Sequence, residues 1–124
     1  MIRHLLPSLA VAALLAAPLH AQAADAAKGK EVFAQCAICH SLKAGENKIG
    51  PSLHGIFGRK AGTEAGFAYS DAIKKSGITW DAATLAKYIA DPQAVVPGNK
   101  MPFPGLKDPA QVQDLLAYLK QASK

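Results

Sequence analysis

Cys36 and Cys39 stand three positions apart, and His40 follows at once. Side chains at i and i+3 of a helical or tight turn face the same side. Two thiols so placed can each form a thioether to one of the two vinyl groups of a porphyrin. The neighbouring imidazole is then carried under the ring, where one of its nitrogens can bind iron. The segment Cys36-Ala37-Ile38-Cys39-His40 therefore reads as an attachment site for c-type haem. Two other chemistries use paired cysteines. A zinc site needs about four ligands, and the chain has no third cysteine. A dithiol redox pair ordinarily sits beside a βαβ pattern, which this sequence does not show.

The 124 residues suggest one small domain preceded by a leader. Arg3 and His4 open the chain, an apolar run follows from Leu9 to Ala17, Pro18 breaks it, and Ala21-Gln22-Ala23 has the form of a cleavage site. The clean apolar run is too short for an uncleaved anchor, because a spanning helix needs about 20 residues. The expectation is a secretory signal peptide over residues 1–23 and a mature domain over 24–124, exported to the periplasm. Losing the leader removes one basic residue, Arg3, and leaves a net charge of +4. Such a balance suits an acidic protein partner, an anionic membrane surface or a nucleic acid. No aromatic-and-basic strip or long basic block favours the last. Export would also permit a disulfide, but a loop of two intervening residues is too tight for a structural bridge, and haem attachment uses both thiols.

A porphyrin supplies four of the six positions around iron and His40 a fifth, so the sixth decides function. An open position would bind gases or activate peroxide; a filled one suits electron transfer. The mature chain has two histidines, His40 and His54, and one methionine, Met101. A lone methionine is ordinarily core filler, but Met101 lies in a loop rich in proline and glycine, 61 residues beyond His40. It is the expected sixth ligand. His54, among glycines, reads as a loop histidine.

The elements that must position these groups read as helices. Asp25 is an N-cap for a helix over Lys28–Gln35 that delivers the chain into Cys36. Ser41 to Gly50 is irregular, and so is the apolar, glycine-containing run from Gly50 to Arg59. That composition fits backbone packed against something flat, with the Pro51 carbonyl free to accept a bond from the ligating imidazole. Ser70 caps a helix over Asp71–Lys75, a further helix runs over Asp81–Ala90, and Pro92 ends it and starts another single turn. Asp108 and Pro109 open a last helix reaching about Gln121, with Val112, Leu115, Leu116 and Leu119 as its apolar stripe. The expected fold class is all-α, with four or five helices.

In CAICH, GPSLHGIFGRKAG, GFAYSDA, GITW, YIADP, VPGNKMPF and LLAYLK, in that order over residues 25–122, the sequence resembles the small class I cytochrome c family, and is similar to its soluble bacterial members. The resemblance implies the cytochrome c fold around one haem c, covalently bound through Cys36 and Cys39, with iron held by His40 and Met101. It implies that the Pro51 carbonyl holds His40, that Arg59, Tyr69, Trp80 and Asn99 bond the haem propionates, that Tyr88 lies near the methionine sulfur, and that Phe103 shields the haem edge. Gly29, Phe33, Leu115 and Tyr118 match the crossing of the first and last helices. Ile73 departs from the asparagine of many relatives, Asn99 from a common threonine, and Gln35 from a partner-binding lysine. The implied function is a monomeric, non-enzymatic electron carrier. It would take electrons from a membrane cytochrome bc complex, deliver them to a terminal oxidase or other periplasmic acceptor, and dock through Lys48, Lys100 and Lys107. A haem peroxidase or gas sensor, and a thiol oxidoreductase using Cys36 and Cys39, are the rival functions.

Overall fold

The computed structural model describes residues 12–14 and 23–124. The expected leader over residues 1–23, with its cleavage motif, lies outside the described residues apart from 12–14 and Ala23. The described chain is helical: α1 spans Ala26–Phe33, α2 Asp71–Lys75, α3 Ala82–Ala90, α4 Pro92–Val95 and α5 Pro109–Ala122. None of these helices is long and apolar enough to cross a membrane.

Each helix starts where a side chain satisfies its free N–H groups. The Asp25 carboxylate accepts from Ala27 N at 2.9 Å and Lys28 N at 3.2 Å, so α1 begins at Ala26, two residues before the expected start. It also ends two residues early, at Phe33. There the N–H groups of Cys36 and Ala37 both turn to Phe33 O, at 2.8 and 2.9 Å, and tighten the helix into a turn. Ser70 caps α2 through Ile73 N, and Asp81 and Thr84 form a reciprocal capping box on α3. Proline occupies the first turn of α4 and α5.

The α5 stripe expected from its spacing is buried: Val112, Leu115, Leu116 and Leu119 all face the core. The middle of α5 meets α1 at close quarters. A Cβ on Gly29 would fall on the Asp114 backbone and 2.9 Å from Tyr118 Cβ, so only glycine permits this crossing. The Phe33 and Tyr118 rings pack at 5.5 Å, and the Asp114 carboxylate accepts from Asp25 N at 2.8 Å.

A short strap closes the domain elsewhere. Trp80 N donates to Arg59 O at 2.8 Å and Ala61 N to Ile78 O at 2.8 Å, around an isolated bridge between Lys60 and Thr79. The core surrounds a cavity that opens to the surface: Ile56, Ile73, Trp80, Leu85, Tyr88 and Leu115 are buried residues that border it.

Gly29→Ala tests the crossing. Alanine would gain about 1 kcal/mol in helix propensity, while forcing a methyl into packed backbone costs about 1–3 kcal/mol or more. The clash is with backbone, which cannot rotate away, so the loss should win. Thermal unfolding is expected to fall by roughly 10 °C; a higher midpoint in the variant would show that the helices are free to separate.

Candidate haem-binding site

The turn after α1 shapes the site. Cys39 N and His40 N both donate to Cys36 O, at 3.1 and 2.9 Å, so Cys36 to His40 form one tight turn. Cys36, Cys39 and His40 all border the cavity, which has a volume of about 620 Å³. That size is ordinary for a cofactor site.

His40 is held from behind. Its Nδ1 donates to Pro51 O at 2.7 Å, which assigns the proton to Nδ1 and leaves Nε2 with a free lone pair. Gly50 lies against the ring: a Cβ there would sit 2.7 Å from Nδ1 and 2.9 Å from Nε2. Burial lowers the His40 pKa below the usual histidine range, and the Arg59 and Lys48 charges push the same way against the Pro51 hydrogen bond. The neutral imidazole is the form that binds metal.

The thiols have the opposite bias from a redox dithiol. Burial, with the neighbouring Cys39, pushes the Cys36 thiol up to about 11, whereas reactive pairs run well below the ordinary value. Among the described residues, no three His, Cys, Asp or Glu side chains gather as a metal site would require. The raised thiol serves thiol exchange poorly.

Met101 borders the same cavity as His40, whereas His54 does not. The Met101 loop is fixed at both ends. Leu106 N donates to Ile89 O at 2.9 Å and the Lys107 ammonium to Ala90 O at 2.8 Å, tying the far end to the end of α3. At the near end Met101 N donates to Asn99 Oδ1 at 3.0 Å.

The other expected site residues, Arg59, Tyr69, Trp80, Tyr88, Asn99 and Phe103, also border the cavity, but their polar atoms are unevenly free. Arg59 Nη1 lies 2.9 Å from Ser52 O, 3.1 Å from His54 O and 3.0 Å from Glu64 Oε2. The Tyr69 hydroxyl accepts from Glu64 N at 3.0 Å and keeps its own proton to donate. Trp80 packs on Tyr88 with ring centroids 4.9 Å apart. Burial pushes the Tyr88 phenol up to about 12, so it stays protonated at neutral pH. Asn99 spends both amide hydrogens on backbone, at Pro92 O and Val96 O, which leaves none for a propionate in this arrangement. Ile73 makes its corner of the cavity apolar, in line with its departure from asparagine.

Two positioning residues escaped sequence reasoning. Ser52 is fully buried; its hydroxyl donates to Lys43 O at 2.6 Å and accepts from His54 N at 3.2 Å. Asn47 accepts from Ser52 N at 2.9 Å and donates to Ala65 O at 2.9 Å, joining two loops. Together they fix the backbone just beyond Pro51. Ile38 and Ile49 were also missed: they border the cavity yet are 69% and 70% exposed.

The donor set fits haem: two thiols on one turn, a neutral imidazole with a free nitrogen, a thioether on a pinned loop, and apolar walls bordered by Arg59, Tyr69 and Trp80. A small helical domain built this way is a c-type haem protein. A family model for cytochrome c matches residues 26–123, and the chain belongs to the cytochrome c family. Cytochrome c2 of Blastochloris viridis is 54% identical over 120 residues, covering 96% of this chain and 93% of the relative. Cytochrome c of Arabidopsis thaliana is 52% identical over 102 residues, 81% and 91% of the two chains. The solved structure of cytochrome cH from Methylobacterium extorquens matches with a TM-score of 0.73 at 52% identity, over 78% of this chain and 98% of that one. The cofactor is accordingly covalent haem c, and the general function is electron transfer.

Ser52→Ala tests the support behind Pro51. It removes the donor to Lys43 O in a fully buried place. A stability loss of about 1–3 kcal/mol is expected in denaturant titration of the haem-loaded protein. An unchanged midpoint would mean that water replaces the hydroxyl and that the loop does not depend on it.

Proposed function

We propose that the mature chain is a monomeric periplasmic electron carrier whose iron is held throughout by His40 and Met101, and which transforms no substrate of its own. The single observation that carries the coordination is the His40 Nδ1–Pro51 O bond of 2.7 Å, which presents Nε2 as the free nitrogen of the imidazole. The bound haem supplies one-electron chemistry between ferric and ferrous iron. Cys36 and Cys39 hold it by thioethers. Met101 offers a soft sulfur, which favours the ferrous state and raises the potential. Leu53, Trp80, Leu85 and Phe103 line the cavity and would exclude water, acting in the same direction, since a low dielectric disfavours the more highly charged oxidised centre. Arg59, Tyr69 and Trp80, which border the cavity, would donate to the propionates, and Phe103 would cover the edge.

The sequence supports export: a basic start, a short apolar run and an Ala-Gln-Ala motif precede the domain, with cleavage after Ala23. The donor would be a membrane cytochrome bc complex and the acceptor an oxidase or other periplasmic protein. Docking fits the edge where Ile38 and Ile49 leave apolar surface beside the cavity. Lys100 also borders the cavity. The Lys48 ammonium donates to Ala37 O at 2.8 Å, within the cysteine turn, so its charge lies at the same edge. Lys107 is anchored on Ala90 O and serves the fold as well as any partner.

Met101→Ala tests the coordination. The ferric variant is expected to bind cyanide readily and its potential to fall by the loss of the sulfur. An unchanged absorption spectrum and potential would assign the sixth position elsewhere.

Electrostatic docking has its own test. Oxidation by an acidic protein partner should slow as salt rises, because charges are screened over about 8 Å at physiological strength. Lys100→Glu should slow it by roughly tenfold at low salt, and Lys124→Glu, on the tail, much less. Rates that are flat in salt, with equal effects from both substitutions, would remove this edge as the docking surface.

A further inference from the structure

The loop that carries Met101 has a latch. Asn99 is 7% exposed, and its side chain satisfies three backbone groups at once. Its Nδ2 donates to Pro92 O at 3.0 Å and to Val96 O at 2.9 Å, and its Oδ1 accepts from Met101 N at 3.0 Å. Only this orientation of the amide works, since two carbonyls need donors and one N–H needs an acceptor. Pro92 O and Val96 O belong to the one-turn helix α4 and its C-cap; each already accepts one backbone N–H, Pro92 O from Val96 N at 2.9 Å and Val96 O from Asn99 N at 3.1 Å, and the Asn99 amide takes the second acceptor site of both. Asn99 thus couples the end of that helix to the backbone of the residue two positions on.

A second amide closes the same loop from outside. Gln93 Nε2 donates to Asn99 O at 3.0 Å, and Gln93 Oε1 accepts from Gly98 N at 3.2 Å. Gln93 is exposed and does not border the cavity. Its contacts therefore act on the loop and not on anything the cavity holds.

We infer that Asn99, supported by Gln93, is the positioning residue that holds Met101 in place and so sets how readily the sixth coordination position opens. The inference rests on Met101 as the sulfur ligand. It gives Asn99 a different task from a propionate contact: its amide hydrogens serve α4, and its oxygen serves Met101.

The two tasks separate in the haem-loaded protein by three measurements: hydrogen exchange at the Met101 amide, cyanide binding to the ferric form, and the pH dependence of the reduction potential. In Asn99→Ala the Met101 amide should exchange faster and cyanide should bind about tenfold faster or more, the scale of lost hydrogen bonds restraining an opening. The pH dependence of the potential should be retained. Gln93→Ala should shift exchange and cyanide binding the same way by roughly threefold, although it touches no cavity wall. The double variant should gain less than the product of the single effects, because both amides close one loop.

Wild-type exchange and cyanide rates in Asn99→Ala would overturn the inference. So would a changed pH dependence of the potential at an unchanged cyanide rate, which would assign Asn99 to a propionate. Should Asn99→Ala not fold, Asn99→Thr, which keeps one donor and one acceptor, and Gln93→Ala carry the test; wild-type behaviour in both would overturn it. Met101→Ala is the reference. If it binds cyanide fast while the latch variants do not, the latch alone fails. If Met101→Ala binds cyanide no faster than the unaltered protein, the sulfur ligand itself fails, and the latch with it.

Discussion

Pro51 O lies 2.7 Å from His40 Nδ1, and most of the local architecture exists to keep it there. A histidine on a free turn would rotate and choose between two tautomers. This one cannot, because its ring is pressed against Gly50, where a Cβ would collide with it. The carbonyl cannot drift either: Ser52, next in the chain, is fully buried and tied to Lys43 and Asn47. Burial keeps the imidazole neutral. A buried neutral imidazole with one nitrogen protonated and one free is preorganised for the proposed role of iron ligand, and would need little reorganisation there.

The two ends of the chain stabilise this turn from a distance. α1 stops at Phe33, three residues before Cys36, and the ring of Phe33 packs on Tyr118 of α5. The absence of a Cβ at Gly29 lets the two helices touch. The cysteine turn is thereby mounted on the most tightly packed crossing in the fold, while the Met101 side of the cavity rests on short helices and loop hydrogen bonds. On the proposed coordination, His40 on the packed crossing has little room to move, whereas Met101 on the loop is held by replaceable polar contacts. That asymmetry would make the sulfur the more labile of the two.

Much of this was legible in the residues. The Cys36–His40 spacing states its chemistry directly, and Asp25, Ser70 and Asp108 mark helix starts because their side chains can reach free N–H groups; Asp81, expected as the first residue of its helix, is instead its N-cap. The α5 stripe declares its buried face by period. What stayed hidden depends on contacts distant in sequence. The end of α1 moved because Phe33 O attracts two amides in a turn that periodicity does not describe. Ser52 and Asn47 looked like ordinary loop polar residues, and only folding brings them to Lys43 O and Ala65 O. The strap between residues 58–61 and 78–80 has too few paired residues to show an alternating pattern. Asn99 lay at a position that resemblance tied to the propionates, but its three partners are all backbone groups of its own loop and α4.

NMR of the reduced, diamagnetic haem-loaded protein tests the central claim most directly, since it reads both iron ligands and the Pro51 bond together. The expected result is a slowly exchanging proton on His40 Nδ1, no proton on Nε2, and a Met101 methyl shifted far upfield by the porphyrin ring current. A His40 Nδ1 proton that exchanges freely, with the Met101 methyl at its ordinary position, would contradict the account.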